Sequence, residues 1–388
     1  MKDKIYLEDL VPYLNNVIIK LDTKFIKNLL IDSSCSNKPY KSKEFCLKIG
    51  TNWNTRFKFS SRVYAWFSGK RNIRVKDLSN IIKNSHYTWH DVEKNIIFIK
   101  AGTKKGEIKF DFPINLDKNF GSVIGYLLGD GSIDKKMTQP FFTNQNKELL
   151  SDFQSKIFHI FNVNPRIWYQ KPNDFKGNKS KWVKRVNSIT QIPHEMQGGL
   201  FYYKIVGQIL IAIFGKFSFG RHKEVTEQIF YSNNQFKMGF LQAFYDSEGS
   251  FSSSSSCIRG FQDRRQVLEK ISLMLLDFNI IPNNISYYIK KDKKRYYIDI
   301  TGFYNILNFK NNIGIISSKK SSNLSKVIFH LKNHPRLRHD QTRNIILEIL
   351  KSNNYLTIND VSFILREMYP RFLWDRSTIN YHLSLLKT

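Results

Sequence analysis

The chain is short of acids, of cysteine and of long apolar runs, and each shortage excludes a class of protein. Asp and Glu number 32 of 388 residues against 61 Lys and Arg, a formal charge of +29. With a sequence pI near 9.8, such a chain suits a polyanionic partner and binds it in a salt-sensitive way. Cys35, Cys46 and Cys257 are the only cysteines; they form neither a disulfide framework nor a zinc ribbon, and a reducing, intracellular setting is expected. The pairs His86/His90 and His330/His334 have the i, i+4 spacing that grips a metal on a helix, but no further ligands stand beside them. No stretch approaches the ~20 apolar residues of a membrane span, and Met1-Lys-Asp-Lys, with Glu8 and Asp9 close behind, lacks a signal-peptide core. A basic amphipathic anchor for a membrane surface is also missing. Neither a Ser/His/Asp arrangement nor a phosphate-cradling Gly-rich loop with Lys-Ser/Thr stands out.

What is present begins with 41% hydrophobic residues, enough for cores in two or three domains. Two related segments recur, Gly125-Tyr-Leu-Leu-Gly-Asp-Gly-Ser132 and Leu241-Gln-Ala-Phe-Tyr-Asp-Ser-Glu-Gly-Ser250. Each reads as an apolar helix with small residues four apart, Gly125 and Gly129 in one and Ala243 and Ser247 in the other, ending on a carboxylate and Gly-Ser. Small side chains on one face let two helix backbones approach. The carboxylates Asp130 and Glu248 are 118 residues apart (248 − 130), one per half of a duplicated domain. An acid at a helix C-terminus opposes the macrodipole, and two converging acids repel each other. A bound divalent cation, Mg²⁺ or Mn²⁺, removes that conflict. An acid followed by glycine also occurs as an ordinary helix cap; two copies with matching spacing and exits argue for a shared site.

These segments resemble the motifs of LAGLIDADG homing endonucleases, in the form that carries both on one chain, over about residues 115–330. Leu128 stands where the first motif usually has an acid, and Gln242 enters the second. The resemblance implies an α+β fold, a duplicated αββαββα core with two antiparallel DNA-binding sheets. It implies that Asp130 and Glu248 ligate metal, with the carbonyls of Gly129 and Ser247 as backbone ligands. It also implies a catalytic lysine in each half, Lys223 in Arg221-His-Lys-Glu-Val-Thr226 and Lys320 after Ile313-Gly314, with Lys319 as the alternative. Metal-assisted phosphodiester hydrolysis needs such a set: acids for the cation and lysines to offset transition-state charge.

Basic residues interleave with aromatics in stretches that read as hairpins. Candidate DNA contacts are Arg166, Trp168, Lys171, Lys184 and Arg185 in the first half, and Arg259, Arg264, Arg265, Lys290, Lys293, Lys294 and Arg295 in the second. Some would read base edges and others hold phosphates, and pattern does not sort them. The Ser252–Ser256 run reads either as a linker or as the first strand of the second sheet.

The expected organisation is an N-terminal module over 1–95, a hairpin-like link over 96–114 with its turn at Gly102–Gly106, core halves over 115–235 and 236–332, and a helical module over 335–388. Ser60–Gly69 reads as a capped helix and Val75, Leu78, Ile81 and Ile82 as an amphipathic one, so this flank resembles a helix-turn-helix. Helices near 341–352, 358–369 and 376–386 give a second helix-turn-helix-like flank, winged or not, or a packing module. The expectation is a monomeric endonuclease for double-stranded DNA whose flanks extend the contact, soluble and genome-associated. The alternatives are a non-cleaving DNA-binding regulator on the same fold and an intron RNA maturase. Because no splicing His-Asn ends the chain, a free-standing protein rather than an intein is expected.

Overall fold

Two stretches of the chain repeat one order of elements. The computed structural model describes residues 3–386 except 15, 102–105, 137, 172–183, 221, 253–255, 291–292, 334–338, 353–355, 371, 373 and 375, and excepting the side chains of 339–341, 376–377 and 384–386. The expected turn at 102–105, the segment 179–183, the serines at 253–255, Arg221 and His334 lie outside the described residues. The chain divides into two units, Met1–Ser247 and Glu248–Thr388.

In the first unit the helix Lys118–Leu128 leads into strands Gly131–Ile133 and Pro140–Asn144, the helix Lys147–Phe161, strands Arg166–Gln170, Lys184–Val186 and Gln197–Phe201, and the helix Lys204–Phe214. The sheet runs 131–133, 140–144, 197–201, 166–170, 184–186, with every pairing antiparallel. The second motif helix, Asn234–Glu248, is followed by strands Gly249–Ser252 and Cys257–Gln262, the helix Arg265–Leu276, strands Ser286–Lys290 and Lys293–Thr301, and the helix Phe303–Asn308. This sheet runs 249–252, 257–262, 293–301, 286–290. Both sheets have the order first, second, fourth, third, and the first half adds an edge strand, so the core is a duplicated αββαββα fold.

Strand alternation sets the faces. Phe142, Ile167 and Leu200 form one buried row of the first sheet, and Ile258, Ile298 and Ile300 one face of the second.

Residues 4–101 combine helices with a three-stranded sheet. Val17–Leu21 pairs with both Ile73–Arg74 and Ile96–Ala101, burying Val17, Ile19 and Leu21. Ser60 caps the helix Ser61–Phe67 by accepting from the Val63 N–H, and Val75–Ile82 is the amphipathic helix. The joint between them differs from the simple turn expected. It contains the strand Ile73–Arg74, because buried Ile73 completes the sheet. Ile96–Ala101 likewise belongs to this sheet rather than to a separate link, and of the expected hairpin the described residues show the antiparallel Ile99–Ile108 bridge.

In the second unit, helices His339–Ser352, Ile358–Met368 and Arg376–Leu386 enclose a core of their own, with Ile346, Val361, Leu365, Trp374 and Ile379 buried. Thr357 and Asp360 form the capping box of the middle helix. Cys46 and Cys257 are buried and Cys35 exposed, and none is in a disulfide.

Candidate functional site

The site starts with the contact between the motif helices, which their glycines permit. A Cβ on Gly121 would lie 1.9 Å from the Phe236 carbonyl oxygen, and one on Gly125 would lie 2.3 Å from that of Phe240 and 3.0 Å from Ala243 Cβ. From the other side, a Cβ on Gly239 would meet the Lys118 carbonyl oxygen at 1.9 Å. Any larger side chain holds these backbones apart. Residue numbers rise together along the seam, so the helices run parallel. At its end, Gly129 meets Ser247, where a Cβ would fall 2.4 Å from Ser247 Cβ. The sequence marked Gly125, Gly129, Ala243 and Ser247; Gly121 and Gly239 extend the seam by another turn.

Asp130, one residue beyond Gly129, is exposed. Its Oδ2 accepts a hydrogen bond from Asn144 Nδ2 at 2.8 Å, and its backbone oxygen one from the Thr143 hydroxyl at 3.3 Å. Asn144 is itself oriented by accepting from the Asn146 N–H at 2.8 Å. Sequence reading missed Asn144; its signal is its place at the end of the second strand, fourteen residues past the acid.

A short hairpin, Ser218–Phe219 paired with His222–Lys223, is stitched to the end of the first motif helix. The Ser218 hydroxyl donates to the Leu127 carbonyl at 2.5 Å, the Ser132 hydroxyl donates to the Ser218 carbonyl at 3.3 Å, and the Gly220 N–H donates to Ser132 Oγ at 2.9 Å. The half-buried Lys223 ammonium donates to the Gly129 carbonyl. A cation there offsets the negative end of the helix dipole. It also engages the carbonyl that the resemblance assigns to a metal.

In the second half the strand register repeats the first. Gly249 pairs with Gly260 as Gly131 pairs with Phe142, each 118 residues on (249 − 131; 260 − 142). The same offset makes Gln262 the counterpart of Asn144. Its Oε1 accepts from the Asp263 N–H at 2.9 Å, while its buried Nε2 has no hydrogen-bond partner among the described residues. The helix Ser318–Asn333 packs against the strand Gly249–Ser252. Near its start Lys320 is half-buried and Lys319 exposed. Partial burial lowers the pKa of Arg295, but its hydrogen bond to Asp263 and nearby charges, Glu248 among them, leave it above the ordinary value.

The sheets sort the candidate DNA contacts. Arg166, Trp168 and Arg185 lie on the first sheet's face away from Phe142 and Leu200, and Lys171 is exposed just past its strand. Lys184, paired with Tyr169, falls on the opposite face from Arg185. In the second sheet Arg259, Lys290, Lys293 and Arg295 share the face away from Ile298 and Ile300. Lys294 points the other way, its ammonium 4.9 Å from the centre of the Tyr287 ring. These two placements follow from the two-residue period of a strand, which one sequence cannot phase.

Three of the arginines have acidic partners. Arg259 makes a two-pronged bond to Asp299 at 2.6 and 2.7 Å and stacks 4.2 Å from the Tyr297 ring centre. Its hydrogen bond to Asp299 is the main reason it is held above its ordinary pKa. Arg295 pairs with Asp263 at 2.9 Å and Arg265 with Glu269 at 2.9 Å, while Arg264 directly precedes the helix that Arg265 begins. The histidine spacing has a different outcome: His86 pairs with Asp32 at 3.0 Å and lies outside the helix Trp89–Lys94 that carries His90.

A profile described as a LAGLIDADG-like domain matches residues 117–214 and 235–314, the stretches whose element order repeats. The core of this chain is a LAGLIDADG-like domain. The replication factor C small subunit of Methanocaldococcus jannaschii is 23% identical over 252 residues, 63% of this chain but 12% of that protein. The chain thus spans about an eighth of that curated relative. Among solved structures, mesophilic variants of the homing endonuclease I-DmoI are 14% identical, with 54% of this chain and 98% of that chain covered and a TM-score of 0.35. Full-length DUF199/WhiA from Thermatoga maritima is 13% identical, with 70% of this chain and 90% of that chain covered and a TM-score of 0.36.

Proposed function

We propose that this LAGLIDADG-like chain is a site-specific, divalent-metal-dependent endonuclease for double-stranded DNA. One observation carries the reading: the parallel motif helices bring Gly129 against Ser247, and each of these precedes a carboxylate by one residue. Asp130 and Glu248 would hold the metal, helped by the carbonyls of Ser247 and, where Lys223 leaves a lone pair available, Gly129. These are hard oxygen donors. Among the described residues no three His, Cys, Asp or Glu side chains gather, so the set fits Mg²⁺ or Mn²⁺, which keep waters and phosphate oxygens in their shell, better than zinc. Bound there, the ion would polarise a phosphate oxygen and acidify a water.

The chain's own groups supply the rest. Asn144 orients Asp130, and the hairpin latched by Ser132 and Ser218 holds the Lys223 charge beside the helix end. Lys223 in the first half, with Lys320 in the second, would offset negative charge as water adds to phosphorus and a bridging P–O bond breaks. The outward sheet faces, with Arg166, Trp168, Arg185, Lys290 and Lys293, would grip the duplex.

A non-cleaving DNA-binding protein is the second reading, and a specific contact favours it: the Lys223 ammonium takes up the Gly129 carbonyl that the endonuclease reading assigns to a metal. Incubating a randomised duplex library with Mg²⁺ separates the two. Discrete double-strand cuts, absent with Ca²⁺ and in Asp130→Asn/Glu248→Gln, support the enzyme. Selective binding without cutting under any divalent metal leaves the regulator, and preference for structured intron RNA leaves the maturase.

A further inference from the structure

We infer that the N-terminal module carries a second duplex-DNA contact, formed by the hairpin tip Arg56-Phe57-Lys58 and the turn Lys70-Arg71, which grips phosphates beyond those reached by the core's sheets. This rests on the core binding DNA, though not on its cutting DNA. Residues 38–76 hold eleven Lys and Arg and one acid, Glu44. Their net charge of +10 (11 − 1) is a third of the chain's +29 in a tenth of its length. A solvated protein face intersperses both signs, whereas a one-sign stretch of this density matches a phosphate backbone.

The fold gives that charge a shape. Asn54 bridges Phe59 and closes a six-residue hairpin, whose turn is fixed by the Phe57 N–H donating to Asn54 Oδ1 at 3.0 Å. Phe57 stands at the tip, 62% exposed, with the Arg56 guanidinium 5.5 Å from its ring centre and exposed Lys58 following. An apolar ring held in water between two cations has the composition of a wedge that enters a groove while its neighbours take phosphates. At the far end of the helix Ser61–Phe67, Lys70 lies 5.9 Å from the centre of the Tyr64 ring and Arg71 is exposed. That helix is about 10 Å long, so both clusters reach one stretch of backbone. Arg62, between them, is paired with Asp77 at 3.1 Å and is not part of the surface.

The test uses the full chain with Ca²⁺, random-sequence duplexes of graded length, and single-stranded RNA of matching lengths, at several salt concentrations. Arg56→Gln/Lys58→Gln and Lys70→Gln/Arg71→Gln should flatten the dependence of log K on log salt by about 0.9 for each phosphate no longer neutralised, on the longer duplexes only. Phe57→Ala should weaken binding to the longer duplexes while leaving that slope unchanged. An unchanged slope in both double variants, equal weakening at every duplex length, or weakening confined to RNA would overturn the proposal. Cutting is read separately: if the slope changes but no metal supports cleavage, this contact stands and the enzyme reading fails.

Discussion

Gly129 and Ser247 touch at the end of a parallel helix pair, with only 2.4 Å from the place of a Gly129 Cβ to Ser247 Cβ. Their two chain neighbours, Asp130 and Glu248, take their candidate role from that contact.

The seam makes a stability prediction. Gly121→Ala and Gly239→Ala each put a methyl group 1.9 Å from a backbone oxygen of the opposite helix. Overpacking of this kind costs about 1–3 kcal/mol, read as a lower urea midpoint for either variant. Wild-type midpoints would mean the backbones do not approach this closely.

The proposed cleavage makes a second prediction, at Lys223. Lys223→Met should slow single-turnover cutting by about 10²–10³-fold, the loss typical of removing one electrostatic stabiliser, with duplex affinity nearly unchanged. Lys223→Arg should recover part of the rate. Ser218→Ala, which loosens the hairpin through its bond to Leu127, should slow cutting less than Lys223→Met. Unimpaired cutting by Lys223→Met would remove the lysine from the mechanism.

Asn144 donates to Asp130, and the 118-residue offset puts Gln262 at the corresponding position after Glu248. Asn144→Ala should slow one strand's cleavage and Gln262→Ala the other's, so that nicked duplex accumulates with opposite strand bias. Nicking of the same strand by both variants would break the equivalence.

Acid should weaken the C-terminal module in a defined window. Hydrogen bonds from the Thr357 hydroxyl and N–H hold Asp360 below the usual carboxylate value of 3.8. A depressed folded-state value means the stabilisation is complete above 3.8 and is lost as pH falls through the lower, folded value. Thr357→Ala should therefore lower the unfolding midpoint at neutral pH, and the gap from wild type should narrow in acid to what the cap bond from the Asp360 N–H contributes. A gap independent of pH would mean that the carboxylate does not contribute.

Several elements were legible because their signals are local. The helix from Ser61 is set by its Ser60 cap, the helix from Ile358 by the Thr357–Asp360 box, and the motif helices by apolar runs broken by glycine. The strand Ile73–Arg74 was not legible. Two residues carry no periodicity, and their place depends on Val17–Leu21, more than fifty residues earlier.

The sequence by itself determined the two carboxylates, the small residues before them and the excess of positive charge, since all three are matters of residue identity and spacing. Tertiary structure decided which cations face which way. Strand register turned Lys184 and Lys294 away from their neighbours Arg185 and Arg295, while Asp299 on the adjoining strand took Arg259 and Asp263, just past a strand end, took Arg295. It also decided that Asn144 reaches Asp130 and Lys223 reaches Gly129. The physical reason is that a side chain's direction follows from how its strand is paired, and that pairing is fixed by burying distant apolar residues together.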